Sequence, residues 1–240
     1  MNDGKNRRRP WVSPTLAGPD GLVGVGGDLR PGTLIRAYSE GVFPWFNPGD
    51  PILWWSPDPR GIIELDGLHI SRSLARTLRS GKFRITVNTA FGDVIRGCAV
   101  RPDGGTWITA EMISAYETLH QLGHAHSLET WVAAEPDSPA GTDWQLAGGI
   151  YGIAIGGLFA GESMFYRVTD GSKVALAALV QRLREHGFEL FDVQMTTEHT
   201  ATMGATEIPR SEYLERLQAA VGKSGVSFLP GERDRPPSHR

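Results

Sequence analysis

Two short stretches, Gly161-Glu162-Ser163-Met164-Phe165 and Asp192-Val193-Gln194, place polar groups inside apolar runs where strands are expected. Residues two apart in a strand share a face, so Asp192 and Gln194 are expected to point the same way. Burying a carboxylate beside an amide is costly unless each group has a partner. With Glu162 close by, the pattern predicts an apolar cleft that holds a polar reactant.

Length and composition narrow the class of protein. The chain has 240 residues, 40% of them hydrophobic, which is enough for one large domain, alone or with a small appendage. A net charge of -3 gives no global basic field, so nucleic acid could be bound only through a local patch. The single cysteine, Cys98, excludes an internal disulfide and fits a reducing cytosol.

Neither a membrane span nor a secretory signal is expected. The longest apolar run, residues 146–161, is interrupted by glycines and is shorter than the roughly 20 residues that a spanning helix needs. The first residues lack the apolar core of a signal peptide. We therefore expect a cytoplasmic protein that has no membrane partner.

Composition also divides the chain into four segments. Residues 1–18 are expected to form a flexible tail, and residues 19–60, which are dense in Gly, Pro and Trp, a small irregular N-terminal domain. Residues 61–222 carry the helix and strand patterns of a larger catalytic domain. The polar residues 223–240 are expected to form a second tail.

Periodicity predicts the elements of the chain. A helix is capped by Thr109 and ended by Gly123, Gly156-Gly157 makes a hairpin turn, and Ser172 caps a later helix. From residue 83 the order βααβββαβα predicts an α/β protein of the α+β kind with a mixed sheet, as in the Gcn5-related N-acyltransferase fold. The other predicted helices are 33–40, 71–79, 90–98 and 211–221, the one begun by Ser172 runs to 186, and the strands are 83–87, 126–134, 144–155, 158–166 and 188–195.

Three familiar ligand sites are disfavoured. The glycines at 24–27 fail the dinucleotide fingerprint, because Leu29 occupies its third glycine position. The histidines 120, 124 and 126 lack a carboxylate or cysteine that would complete a zinc set, and Gly123 breaks the helix between them. The loop 167–172 has the wrong glycine spacing for coenzyme A, and Asp170 would repel a pyrophosphate. We therefore predict no metal and no cofactor, and an activated acyl donor other than acetyl-coenzyme A.

A helix face carries the strongest local basic patch. No acidic residue interrupts the run from 72 to 82, so its like charges repel without relief. A phosphate partner and a solvated helix face both remain open as explanations. The patch consists of Arg72, Arg76, Arg79 and Lys82.

Several motifs together resemble the leucyl/phenylalanyl-tRNA–protein transferase family. The resemblance extends from about Gly21 to Tyr213 and is very specific. It implies a bacterial cytoplasmic enzyme, expected to be a monomer, that moves Leu or Phe, and by the same pocket Met, from aminoacyl-tRNA to proteins with N-terminal Arg or Lys. Such products enter the N-end rule degradation pathway. The motifs are Phe43-Pro44-Trp45-Phe46, DPILWWSPDPR at 50–60, LHISRS at 68–73, GTWIT at 105–109, LGHAHS at 122–127, and the GESMF and DVQ stretches.

The resemblance also implies roles for individual residues. Asp192 and Gln194 are implied as the catalytic pair, with Glu162 in the cleft, and the basic patch aligns with the tRNA-binding surface. The family's wall positions on the helix after Ser172 are often aromatic, whereas this chain has leucines, so the shape of the donor pocket is expected to differ. The substrate-binding residues implied are Trp45, Trp107, Ile150, Phe159, Phe165, Leu179 and Leu183.

Aminolysis of an activated ester requires little acid–base power. An α-amine has a pKa near 8, so about a tenth is free base at neutral pH. Asp192 is expected either to orient Gln194 or to attract the ammonium, while the amide oxygen of Gln194 guides the nucleophile. Two other classes remain as alternatives, a coenzyme A-dependent N-acetyltransferase and a non-catalytic tRNA- or peptide-binding module.

Overall fold

The computed structural model describes residues 9–100, 106–134 and 143–229, so the outer parts of both expected tails lie outside the described residues. A short 3-10 turn occupies Pro14–Leu16. The helices are α1 Pro31–Ser39, α2 Arg72–Arg79, α3 Phe91–Ala99, α4 Ala110–Gln121, α5 Gly171–Glu185, α6 Glu198–Thr202 and α7 Arg210–Val221. The strands are β1 Leu22–Val25, β2 Phe43–Pro44, β3 Leu53–Trp55, β4 Arg60–Ile63, β5 Arg84–Val87, β6 Ala125–Ala133, β7 Trp144–Ile155, β8 Leu158–Tyr166, β9 Leu190–Gln194 and β10 Ala205–Ile208.

The residues before β4 form a small antiparallel sheet in the order β1-β3-β2. Aromatic side chains hold this part together: the rings of Trp11 and Trp54 lie 4.7 Å apart, and Trp54 is fully buried. The Trp54 indole also donates to the carbonyl of Gly26 at 2.7 Å. The Gly, Pro and Trp density of the sequence thus corresponds to short strands joined by tight turns.

The larger sheet has seven strands in the order β10-β4-β9-β8-β7-β6-β5. Only β8 and β9 run parallel, and their pairing covers Leu158 to Ala160 against Leu190 to Asp192. Beyond that point the described residues of the two strands are no longer paired, which leaves Glu162 and Gln194 at the edges of an opening in the sheet. The protein is therefore of the α+β class with a mixed sheet.

Helices cover both faces of this sheet. On one face α3 and α4 pack with Tyr151 and Ile153 of β7, in the same apolar cluster as the aromatic residues of the N-terminal part. On the other face α5 packs against β6, β7 and β8, and α2 packs on α5. The C-terminal α7 covers β8 and β9. No described helix is long and apolar enough to cross a membrane.

Most of the predicted elements are confirmed, but one helix cap and several short elements need correction. The Gly156-Gly157 hairpin turn joins β7 to β8 as expected. The prediction that Ser172 caps a helix is wrong: α5 begins at Gly171, and Asp170 in a left-handed conformation is the cap residue. The prediction also missed α6, β10 and the strands β1 to β4, because two to five residues are too few to show a period.

Candidate active site

Gln194 ends β9 at the opening between β8 and β9. Its backbone is in the left-handed region with φ 59°, which is costly for a residue that has a Cβ. The Oδ1 atom of Asp192 accepts the Gln194 backbone N–H at 2.9 Å and so stabilises this turn. The strand therefore ends at Gln194, and the Gln194 side chain faces the cleft.

Asp192 is fully buried and its carboxylate is saturated with donors. Arg60, itself 1% exposed, donates from Nε and Nη2 to the two carboxylate oxygens at 2.8 and 2.6 Å. The Tyr213 hydroxyl donates to Oδ2 at 2.9 Å, and Arg60 also donates to the carbonyl of Gly41 at 3.1 Å. Charge pairing and these bonds offset the cost of burying two ions. Asp192 is thus enclosed behind Gln194, away from the cleft surface.

Glu162 lies across the opening and connects to a buried pair of tyrosines. Gln194 Nε2 donates to its Oε1 at 3.4 Å, and the Tyr116 hydroxyl donates to its Oε2 at 3.1 Å. The hydroxyls of Tyr38 and Tyr116 lie 2.5 Å apart. Burial raises the pKa of Glu162 to about 7, an effect that exceeds the stabilisation of its charged form by the tyrosines.

A cavity of about 290 Å³ opens beside these two polar groups. Its lining is mostly apolar, and its polar groups come from Glu162, Ser163, Gln194, Thr197, His199 and Thr200. An engineered cavity of about 150 Å³ already holds benzene, so this space suits a large apolar side chain. The apolar lining residues are Ile63, Trp107, Ile150, Met164, Leu176, Phe191, Val193 and Met195.

A second cavity, of about 240 Å³, shares Glu162, Gln194 and Trp107 with the first. Trp45 forms another part of its wall, and 41% of the Trp45 side chain is exposed. The Trp45 and Trp55 rings lie 6.1 Å apart, and Trp55 donates its indole N–H to the carbonyl of Trp45. The two cavities therefore meet at the polar pair, one apolar and one flanked by aromatic rings.

Comparison with known proteins identifies the family. The sequence matches the family described as leucyl/phenylalanyl-tRNA protein transferase over residues 62–218, and the N-terminal domain of that family over residues 27–58. The chain belongs to this family. It is accordingly an acyltransferase, of the aminoacyl-tRNA–protein transferase class.

Individual relatives cover most of the chain. A leucyl/phenylalanyl-tRNA–protein transferase of Nitratidesulfovibrio vulgaris (strain DP4) is 51% identical over 208 residues, which are 85% of each chain. Those of Magnetococcus marinus and Shigella dysenteriae serotype 1 are 53% and 51% identical, over 86% and 91% of this chain and 86% and 90% of theirs. Among solved structures, L-PGS from Bacillus licheniformis shares 12% identity at a TM-score of 0.41, covering 81% of this chain and 71% of that one.

The structure brings together only some of the residues that the family resemblance implied for substrate binding. Ile150, Trp45 and Trp107 line the cavities. Phe165 does not: its ring packs over Gly97 of α3, on the opposite side of β8. The remaining three, Phe159, Leu179 and Leu183, are enclosed in the apolar core beneath the cavity and line neither space.

Sequence reasoning missed several members of the site. Leu176, one turn before Leu179 on α5, is the leucine of that helix that lines the larger cavity. Buried polar groups were also missed, among them the hydroxyl of Tyr116 on the apolar side of α4. A hydroxyl at a stripe position is a weak signal, because a tyrosine ring serves a core equally well. The missed residues are Tyr38, Arg60, Tyr116, Leu176, His199 and Tyr213.

The four basic residues of α2 and its following turn are exposed. Within the described parts of the chain, none of them forms an ion pair with an acidic side chain. Thr77, on the same helix, donates to the carboxylate of Asp170 at 2.9 Å and ties α2 to the start of α5. The surface formed by Arg72, Arg76, Arg79 and Lys82 is called the α2 basic patch below.

Proposed function

We propose that this enzyme transfers Leu, Phe or Met from aminoacyl-tRNA to the α-amine of proteins that begin with Arg or Lys. It acts in the cytoplasm as a monomer, and its products enter N-end rule degradation. The single observation that carries the proposal is the meeting of two cavities at Glu162 and Gln194. Two reactants can then approach one polar pair from different sides.

The larger cavity fits the amino acid side chain of the donor. Most of its lining is aliphatic or aromatic, so an apolar side chain is desolvated at little cost, whereas a charged one would lose its hydration among largely apolar groups. An apolar pocket distinguishes one methylene by only about 1–3 kcal/mol, which explains why Leu, Phe and Met would all be accepted. Trp45 and Trp107 would flank the adenosine to which the amino acid is esterified.

Gln194 is the residue best placed to guide the attacking amine. Its Nε2 group donates to Glu162, so its amide oxygen is oriented to accept a hydrogen bond from the nucleophile. The amine then attacks the ester carbonyl, and the ribose hydroxyl of the tRNA leaves. Orientation of the two reactants, rather than a strong base, supplies most of the rate gain.

Two carboxylates support this step in different ways. Asp192 is bonded to Arg60, Tyr213 and the Gln194 backbone, which supports it as a positioning residue and not as a contact for the ammonium. Glu162 has a pKa of about 7, close to the value near 8 of an α-amine. This match makes Glu162 suited to accept the proton that the amine loses.

The α2 basic patch would bind phosphates of the tRNA. Four exposed cations lie within one helix and its following turn, which suits the spacing of a nucleic acid backbone.

The Gcn5-related N-acyltransferase fold is likewise a proposal, supported by the parallel β8 and β9 pair that separates at the site.

A coenzyme A-dependent acetyltransferase is less well supported. In this chain the start of α5 carries Asp170, whose carboxylate is held there by Thr77. A negative charge at this position opposes a pyrophosphate. A non-catalytic binding module is opposed by the strained Gln194 turn and its buried supports, which a binding platform does not need.

One assay separates these three possibilities. The enzyme is incubated with an Arg-started peptide and radiolabelled Phe-tRNA, with labelled acetyl-coenzyme A in a parallel reaction, and Gln194→Ala is run beside the wild type. We expect label from the tRNA alone, reduced on the order of a hundredfold by Gln194→Ala. Label from acetyl-coenzyme A, or peptide binding without transfer, would overturn the proposal.

A further inference from the structure

A third cavity lies away from the cleft, at the β5 edge of the large sheet. It has a volume of about 230 Å³ and is lined by Arg84, Thr86, Thr89, Trp131 and Trp144. The Arg84 guanidinium lies 5.6 Å from the centre of the Trp144 ring. Two indoles, a guanidinium and hydroxyl groups around a small opening have no place in the transfer chemistry described above.

The wall of this cavity is rigidly built. The Trp131 indole donates to Thr86 Oγ1 at 2.7 Å, and Thr86 donates in turn to Glu129 at 2.5 Å. Glu129 is fully buried and also accepts the hydroxyls of Thr89 at 2.9 Å and Ser127 at 2.5 Å. Burying a carboxylate is costly, and here it fixes the orientation of the Trp131 ring through Thr86.

Trp144 presents its ring to the cavity, while its N–H group is enclosed. The Trp144 indole nitrogen is buried and makes no hydrogen bond in the described residues. Because this nitrogen is enclosed, a ligand in the cavity would contact the Trp144 ring and not its N–H group. Nucleobases carry ring nitrogens and carbonyl oxygens that accept hydrogen bonds, together with flat faces that stack on indoles.

The cavity lies at the same end of the sheet as the cleft. Strands β6 and β8 are both antiparallel to β7, so Trp131 near the end of β6 and Tyr166 at the end of β8 lie on one side. The path from the cleft to the cavity crosses two strand spacings, which amount to about 10 Å, and follows β8 over the four residues from Glu162 to Tyr166, which amount to about 13 Å. Nucleotides next to an adenosine in the cleft could span this separation.

We propose that this cavity binds an unstacked nucleobase of the single-stranded acceptor end of the tRNA while the terminal adenosine occupies the cleft. The proposal rests on the proposed function and adds a second contact to the donor. Arg84 follows Lys82 of the α2 basic patch by two residues, and both are exposed, so positive charge extends toward the cavity. Indole stacking combined with backbone cations is the usual way to hold a single strand.

Donors of different length test the proposal. Phe is supplied either on adenosine alone or on a short oligonucleotide that ends in the tRNA acceptor sequence, with Trp144→Leu, Trp144→Phe and Arg84→Gln as variants. Trp144→Leu should raise KM for the oligonucleotide donor by about 5- to 150-fold, and Arg84→Gln should raise it less. We expect kcat, and KM for the adenosine donor, to stay unchanged. Trp144→Phe keeps a stacking face and should retain most of the affinity. Arg96→Gln is the charge-matched control for Arg84→Gln, because it removes an arginine of α3 that is paired with Glu117.

Abasic donors locate the base. An oligonucleotide donor that lacks the base held in the cavity should bind the wild type as weakly as the intact donor binds Trp144→Leu. Combining the abasic donor with Trp144→Leu should cause no further loss of affinity. An equal rise of KM for both donor lengths would mean that Trp144 only supports the fold. No change with either donor, or a rise of KM for the peptide instead, would also overturn the proposal.

A binding measurement separates this proposal from the proposed function. The unacylated oligonucleotide is titrated into wild type and Trp144→Leu while tryptophan fluorescence is followed. If the wild type binds the oligonucleotide and the variant binds it with lower affinity, the cavity is supported even when no donor is turned over. A lack of turnover would contradict only the proposed function. Transfer by the wild type with equal titrations for both proteins would overturn the cavity alone.

Discussion

Asp192 and Gln194 are neighbours on one strand, yet their surroundings assign them different effects. Asp192 is enclosed with Arg60, whereas Gln194 faces the cleft. Removing one partner of a buried ion pair typically costs about 3–5 kcal/mol. We therefore expect Asp192→Ala to lose that much unfolding free energy along with activity, and Gln194→Ala to lose transfer rate with little change in stability.

Urea unfolding and single-turnover transfer rates, measured on the same preparations, check this difference. Arg60→Ala is the matched control, because it breaks the same ion pair from the other side and should be similarly unstable. If Asp192→Ala unfolded at the wild-type urea concentration, the ion pair would not contribute to stability.

Glu162 should make the stability of the protein depend on pH. Its pKa is raised from the usual 4.5 to about 7, so the folded protein binds the proton more tightly than the unfolded chain. The resulting stabilisation is complete below about pH 4.5 and is lost as the pH rises through about 7. Relative to Glu162→Gln, which cannot ionise, the wild type should lose about 1–3 kcal/mol across this range.

The comparison requires unfolding curves of both proteins at several pH values. His126, whose pKa burial lowers to about 4, acts in the opposite direction, but it is present in both proteins and cancels in the difference. A difference in unfolding free energy that is flat from pH 4.5 to 7.5 would show that Glu162 titrates normally.

At the scale of elements, α5 offers a matched pair of leucines. Leu176 lines the larger cavity of the cleft, and Leu179, one turn later, is fully buried in the core beneath it. Leu176→Ala enlarges the cavity and should shift the kcat/KM ratio of Phe over Leu by up to about tenfold toward the bulkier donor. Leu179→Ala should instead cost about 2–5 kcal/mol of stability with the ratio unchanged.

Competition between Phe-tRNA and Leu-tRNA, together with thermal unfolding of both variants, gives the two readouts. A change of donor preference in Leu179→Ala, and none in Leu176→Ala, would place the pocket wall one turn further along the helix.

The α2 basic patch predicts how tRNA affinity responds to salt. Each phosphate contact that is removed should lower the slope of log affinity against log salt by about 0.7 to 0.9. Arg72→Gln, Arg76→Gln and Arg79→Gln should each show this change with the peptide KM unaltered. Arg96→Gln serves as control, since Glu117 already neutralises that side chain. Unaltered slopes in all three variants would leave the patch a solvated helix face.

Long periodic elements could be predicted from the sequence, whereas contacts between distant residues could not. The helix capped by Thr109 and the strand pair around Gly156-Gly157 were found because local spacing and turn chemistry fix them. The pairing of Arg60 with Asp192 joins residues 132 positions apart, and no local pattern marks it. The family resemblance implied Leu179 as a pocket residue, whereas Leu176 is the leucine of α5 that lines the larger cavity, because helix phase alone does not show which turn meets a cavity.

The whole molecule depends on contacts between its N-terminal part and the large sheet. Tyr38 of α1 reaches Tyr116 next to Glu162, and the carbonyl of Gly41 accepts a hydrogen bond from Arg60. Arg60 is the first residue of β4 and so belongs to the seven-stranded sheet. One apolar cluster also joins the aromatic residues before β4 to α3 and α4. The site is therefore assembled from both sequence segments.

A fragment of residues 61–222 should consequently be much less stable than the full chain. It keeps Asp192 but lacks Arg60, so a buried carboxylate is left without its ion-pair partner, which alone costs about 3–5 kcal/mol. Urea unfolding of the fragment and of the full chain measures the loss. Asp192→Asn in the fragment should restore part of the stability, because the orphaned charge is gone, while the same change in the full chain should destabilise it by leaving Arg60 unpaired. A fragment as stable as the full chain, with no benefit from Asp192→Asn, would mean that residues before 61 form a separate unit and that Arg60 does not compensate the buried charge.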